Sequence, residues 1–160
     1  MTEFFKPKAK AKRRITQRPE QGIQIACVKL ADSWLLPFSV EQERGWAARM
    51  VGRKVGDYLF HIPNGGGRSK VEGGIFKAMG VRSGVSDLFL MLPLLFESGP
   101  IAGLFIELKA GKGSLTSEQS AFQENAEFVG YETATVRSVF EFQVVIEAYV
   151  RPSIGMWGVR

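Results

Sequence analysis

The chain has 160 residues, 45% hydrophobic and 23% charged, with a formal net charge of +5. That length suits one domain with a sizeable core, and no apolar run approaches the ~20 residues that a bilayer-spanning helix needs. A single cysteine, Cys27, and a single histidine, His61, exclude an intramolecular disulfide, a Cys/His zinc cluster and a convincing Cys–His nucleophile pair.

Residues 1–17 are rich in Lys, Ala and Arg and lack apolar periodicity, so they read as a flexible basic tail. The opening MTEFFKPKAKAKRR has no apolar segment of the kind a secretory signal requires, and a cytoplasmic location is expected. The domain proper is expected over 18–150. Pro19 suits a first helical turn, and PEQGIQIACVKL places Ile23, Ala26, Cys27 and Leu30 on one helical face. Residues 31–38 are expected to break that helix. Ser39 with Gln42 has the spacing of a capping box opening a second helix.

DYLFHI, 57–62, reads as a strand and PNGGGR as a loop. Ser69 with Glu72 predicts a short capped helix ending at Met79, before Gly80. VSDLFLML, 85–92, and IAGLFIELK, 101–109, read as strands joined by a turn over 93–100. Thr116 and Gln119 cap a helix that stops at Gly130, and YETATV is a further strand. Ser138 and Glu141 cap a last helix, whose Val139, Phe142, Val145, Ile146, Tyr149 and Val150 form an apolar stripe. Residues 151–160 read as a C-terminal tail. The order predicts an α/β domain with a central mixed sheet flanked by helices.

Charge is spread unevenly. The first 18 residues hold seven Lys/Arg against one Glu, residues 44–82 hold eight against two acids, and residues 107–160 hold five against seven. Basic charge gathered in a tail and one central stretch points to a phosphate-rich partner. The competing reading is a solubilising tail on an ordinary enzyme.

GLFIELKAGKG carries the chemistry. Alternation puts Leu104, Ile106 and Leu108 on one face of the strand and Phe105, Glu107 and Lys109 on the other. Glu107 and Lys109 are then either an exposed ion pair at a strand end or parts of a site. Asp87 enters the preceding strand after a tight GVSD turn, and antiparallel pairing of the two strands brings it close to Glu107. Two carboxylates beside an amine make a hard-oxygen site suited to Mg²⁺ or Mn²⁺. The stretch AGKGS is no phosphate-binding P-loop, because the first glycine of that motif would fall on Ile106.

The spacing Asp87-x19-Glu107-x-Lys109 resembles the active-site signature of the PD-(D/E)XK nucleases. HIPNGGGR, FKAMGVRSGVSDLFL, GLFIELKAGKGSLTSEQ and GYETATVRSVFE resemble, in order and spacing, the VRR-NUC family of that group. Ser86 stands where the family usually has proline, and the stretch 31–56 is longer than in small members and is read as a possible inserted helix. The resemblance implies a restriction-endonuclease-like core and a metal-dependent, structure-selective DNA endonuclease. Its substrate would be branched or four-way (Holliday) junction DNA, its state a homodimer, and its setting that of a phage or prophage nuclease in the bacterial cytoplasm. The alternatives are a non-catalytic nucleic-acid-binding module of the same fold, or a nuclease acting on DNA ends or RNA.

Carried over residue by residue, the resemblance gives Asp87, Glu107 and the Leu108 backbone carbonyl as metal ligands, and Lys109 as the group that positions the attacking water. Glu20 matches an extra acid of the group, or is an N-terminal acid favoured by its helix dipole. Gln119 matches a family glutamine, or serves only its capping box. His61, Asn64, Gly65, Gly66 and Arg68 would form a loop against the phosphate backbone, with His61 alternatively a half-buried strand residue. Lys77 and Arg82 would add phosphate contacts. Cys27 reads as core, and Trp34, Trp46 and Trp157 as packing residues or base-stacking ones.

Overall fold

Alternate apolar residues of one short strand organise the domain. The structure, a computed structural model, describes residues 19–37, 50–63, 70–96 and 99–156. Strand β5, Leu104–Leu108, has Leu104, Ile106 and Leu108 at no more than 2% exposure. Its neighbours are β2, Leu88–Leu90, and β6, Glu132–Val136, and β1, Leu59–His61, lies beyond β2. The four-stranded sheet runs β1-β2-β5-β6, with β1/β2 and β2/β5 antiparallel and β5/β6 parallel. It is the central mixed sheet that the element order predicts.

Two helices cover the Leu104–Ile106–Leu108 face. Helix α1, Pro19–Ser33, contributes the buried Cys27 and Ala31. Helix α4, Val139–Met156, contributes Phe142, Ile146, Tyr149 and Val150, all buried and all on the predicted stripe. With Leu88, Leu90 and Val136 they form one continuous core. The Tyr149 hydroxyl is buried and donates to the Leu92 carbonyl at 2.7 Å, so its polar end is satisfied. Burial drives its pKa well above the usual phenol value.

On the opposite face Phe60, Phe89 and Phe105 share one register row across β1, β2 and β5. Phe89 stacks on Phe105 at 4.5 Å. Helix α3, Ser117–Phe128, sets Phe122 edge-on to Phe105 at 5.0 Å. This helix links β5 to the parallel β6, as a parallel pair requires. It ends in a Schellman turn, with Tyr131 and Gly130 amides donating to the Ala126 and Glu127 carbonyls, each at 3.0 Å. Gly130 takes φ +90°, which a side chain would resist.

Several predicted boundaries move. Helix α1 runs on to Ser33 instead of breaking at 31, because Ala31 packs into the core. A 3-10 turn over Val55–Asp57 precedes β1, closed by the Lys54 amide donating to the Asp57 carboxylate at 3.0 Å. The predicted strand 85–92 shortens to Leu88–Leu90. The predicted turn at 93–100 contains a hairpin, β3 Leu94–Phe96 with β4 Gly99–Ile101, and this splits the predicted strand 101–109 at Ala102–Gly103. Helix α2, Lys70–Ala78, matches the prediction, and α4 continues through Pro152 to Met156, into the stretch read as a tail. The basic tail, the helix expected from Ser39, the Ser69 cap, Trp46 and Trp157 lie outside the described residues. Among the described residues no helix is long and apolar enough to cross a membrane.

Candidate active site

The β2/β5 register pairs Leu88 with Ile106. Continued by one residue, it sets Asp87 opposite Glu107, on the face that carries Phe89 and Phe105. Asp87 lies just outside β2, and one carboxylate oxygen accepts from the Leu108 amide at 2.9 Å. That bond takes the place of a ladder bond where the short strand has ended. The N–H and C=O of one strand residue leave the same side, so the Leu108 carbonyl also opens toward Asp87.

Glu107 and Lys109 are buried, at 3% and 9% exposure, which rules out the exposed-pair reading. Lys109 Nζ lies 3.1 Å from Glu107 Oε1. Gln119, in the first turn of α3, joins them: its Oε1 accepts from Lys109 Nζ at 2.7 Å, and its Nε2 donates to Glu107 Oε1. The same Gln119 completes the predicted capping box. Its amide donates to Thr116 Oγ1 at 3.3 Å, and its Oε1 accepts from the Thr116 amide at 3.0 Å. The two readings of Gln119 are therefore one arrangement. The cap fixes the side chain's carbonyl end, and that orientation points its NH₂ at Glu107.

The electrostatics of the site are unbalanced toward negative charge. Burial, and then the charge of Asp87, push the Glu107 carboxyl up to about 7, against the pull of Lys109. Burial also raises Asp87, opposed by its bond from Leu108 and by the charges of His61 and Lys109. Glu20 lies near enough to raise both carboxyls further, although it is exposed in the first turn of α1. A half-buried and a buried carboxylate that repel one another, with Lys109 paired to Glu107 alone, leave a charge deficit that a bound cation would fill. Among the described residues no three His, Cys, Asp or Glu side chains gather into a metal-holding group. The donors are Asp87, Glu107 and the Leu108 carbonyl. That set fits a magnesium-type ion, which holds one or two protein carboxylates and completes its shell with water and substrate phosphate.

The other candidates fall around this centre. His61 is exposed, and its Nδ1 lies 2.8 Å from the Asp87 carbonyl oxygen, which also accepts from the Ile62 amide at 2.8 Å. A carbonyl only accepts, so Nδ1 carries the proton. His61 thus braces the backbone of Asp87, a contact the sequence did not suggest. Lys77 and Arg82 are exposed, on the last turn of α2 and on the loop that leads to Asp87. Asn64, Gly65, Gly66 and Arg68 lie outside the described residues. Cys27 is fully buried and its thiol is pushed up to about 11, mainly by burial. Trp34 packs against the same core. Sequence reasoning missed the aromatic wall of Phe89, Phe105, Phe122 and Tyr131 beside the carboxylates. The signal was present in Phe89 and Phe105, each two residues from an acid.

No protein-family model matches the sequence, and no curated protein is detectably similar to it. A solved structure described as a "VRR_NUC domain protein" superposes with a TM-score of 0.65, at 22% sequence identity, over 87% of this chain and 93% of that one. The fold, a mixed sheet with the Asp87–Glu107–Lys109 cluster where its central strands meet, is the restriction-endonuclease-like PD-(D/E)XK fold in the form seen in a VRR_NUC domain.

Proposed function

We propose that the protein is a nuclease that hydrolyses DNA phosphodiester bonds with Mg²⁺ or Mn²⁺. The observation that carries this reading is the burial of Glu107 and Lys109 in one hydrogen-bonded group with Gln119, opposite Asp87. A buried acid–amine pair costs several kcal/mol to desolvate, and packing alone gives no return on it.

Asp87, Glu107 and the Leu108 carbonyl would hold the metal. When bound, the metal supplies neutralisation of charge on the phosphoryl group and a water of lowered pKa. Lys109 Nζ, held by Gln119, would orient the attacking water in line with the scissile bond and balance the charge that builds on the phosphoryl oxygens. The water oxygen bonds to phosphorus and gives up a proton to solvent, the phosphorus–oxygen bond to the leaving strand breaks, and the departing oxygen takes a proton from solvent. Glu20 stands at the rim as a further acid. His61 keeps the Asp87 backbone in place. Lys77 and Arg82, with the basic loop Asn64–Arg68 and the tail 1–17, bind the phosphate backbone without reading base sequence.

The finer reading is a branched-DNA endonuclease, acting on four-way junctions as a homodimer in the cytoplasm of a bacterial host. It rests on the motif resemblance alone; the printed name of the structural neighbour speaks only of a VRR_NUC domain. A two-fold substrate is best met by two equivalent sites.

The test is cleavage of labelled four-way-junction, linear-duplex and single-stranded DNA with Mg²⁺, with Mn²⁺ and with EDTA, alongside Lys109→Ala. Paired, metal-dependent nicks on the junction, lost in the variant, are expected. Binding to all three DNAs without cutting under either metal would overturn the enzyme reading in favour of a binding module. Cutting confined to free ends would overturn the junction assignment alone.

A further inference from the structure

Asp87 reaches the site through a short loop that leaves α2 at Gly80 and is seated on the first turn of α3. The seat is Gly84. It takes φ +85°, and its backbone lies directly against Glu118. A Cβ added there would sit 2.5 Å from the Glu118 carbonyl carbon, nearer still to its oxygen, and 2.9 Å from its Cβ. The obstructing atoms include the backbone of a helix turn, which cannot swing aside as the end of a flexible side chain would. Gly80, Gly99, Gly111 and Gly130 also have positive φ, yet a Cβ at any of them meets nothing within 4 Å. Gly84 alone among these turn glycines combines the left-handed conformation with a close backbone contact.

The contact joins the two halves of the site. Gly84 lies three residues before Asp87. Glu118 is the neighbour of Gln119, which holds both Glu107 and Lys109. Asp87 is tied to β5 through the Leu108 amide. The loop therefore has two anchors, one on the strand and one on the helix turn.

We propose that Gly84 is a positioning residue, whose bare backbone seats the Asp87 loop on α3 and so sets the spacing between Asp87 and the Glu107–Lys109–Gln119 group. This rests on the nuclease reading above, and it assigns metal affinity and turnover to a residue that touches neither metal nor DNA.

Gly56 supplies a control for the backbone overlap, without the positive φ. A Cβ there would sit 2.8 Å from the Asp32 Cα and 2.9 Å from its amide nitrogen, an overlap of the same kind against the last turn of α1, the end opposite Glu20. Mn²⁺ binding by the full chain is measured by calorimetry, and junction cleavage is measured for kcat and KM. Gly84→Ala is expected to weaken Mn²⁺ binding about 10-fold and to lower kcat about 100-fold, with KM for DNA changed by no more than about 3-fold. Gly56→Ala is expected to lower the melting temperature while Mn²⁺ affinity and kcat stay within about 2-fold of wild type. Wild-type affinity and kcat in Gly84→Ala, or parallel losses in both variants, would overturn the inference.

Should Gly84→Ala not fold, hydrogen exchange on the wild-type chain decides. Mn²⁺ should slow exchange at residues 84–88 and 117–120 together; protection confined to 84–88 contradicts the coupling. Wild-type protein that binds no Mn²⁺ would instead refute the nuclease reading on which the inference stands.

Discussion

The two faces of β5 differ in composition, in environment and in what they contribute. Leu104, Ile106 and Leu108 belong to the apolar core, with residues from α1, α4 and the neighbouring strands. Phe105, Glu107 and Lys109 begin on an aromatic row and end on charge. One face returns free energy for every methylene buried. The other spends some of it, because Glu107 and Lys109 are desolvated and only partly compensated by Gln119 and by each other. A five-residue strand thus supports the fold with one set of side chains and carries a strained electrostatic site with the other.

The contrast is sharpest in substitutions on adjacent residues. Glu107→Ala should lower DNA cleavage by about 10³-fold or more while leaving DNA binding largely intact. Retained cleavage would remove Glu107 from the site. Ile106→Ala, one position away and fully buried, should cost about 2–5 kcal/mol of stability, read by denaturant unfolding. Its activity per folded molecule should stay near wild type, and a rate loss as deep as that of Glu107→Ala would erase the distinction between the faces.

The charged face should also show itself in pH dependence. The Glu107 carboxyl, raised from an ordinary 4.5 to about 7 in the folded chain, binds protons more tightly there than when unfolded. Its contribution to stability is therefore full below about 4.5 and is lost as pH rises through about 7. The raised Asp87 acts in the same direction. For Glu107 the loss is on the order of 3 kcal/mol at most. On the proposed reading Mg²⁺ would offset it, so the rise in melting temperature on adding Mg²⁺ should be greater at pH 8 than at pH 5.5. Equal shifts at both pH values would show that the carboxylates carry no such deficit.

The smallest expected effect is at Ser86, 1% exposed, whose hydroxyl has no hydrogen-bond partner among the described residues. Ser86→Ala should leave stability unchanged or raise it by about 1 kcal/mol, with cleavage unaffected. A loss of more than about 1 kcal/mol would mean that the hydroxyl is satisfied.

Much of this was legible in the sequence, for identifiable reasons. Asp87 lies just before β2, Glu107 near the end of β5 and Lys109 just after it; the register of these two adjacent strands follows from the apolar pattern, so their convergence could be anticipated. The capping boxes at Thr116 and Ser138 are local, and the structure has Gln119 and Glu141 amides donating to those hydroxyls at 3.3 and 3.1 Å. What could not be read is long-range. Whether Glu107 and Lys109 are covered depends on α3 folding over the strand end. The dual role of Gln119 requires the helix start to stand above Lys109. The bracing of Asp87 by His61 spans 26 residues, and the contact at Gly84 reaches Glu118, on a helix that comes after β2, β3, β4 and β5 in the chain. The β3–β4 hairpin was missed because Pro93, Gly99 and Pro100 carry turn chemistry, yet Gly99 and Pro100 themselves pair with Phe96 and Leu95 as strand residues.

On the proposed reading, the charged end of β5 holds a divalent cation. The most direct test is an anomalous difference map from crystals of the protein soaked in Mn²⁺. A peak next to Asp87, Glu107 and the Leu108 carbonyl is expected. Full occupancy of Mn²⁺ elsewhere, with Lys109 filling the space between the two carboxylates, would contradict the proposed reading.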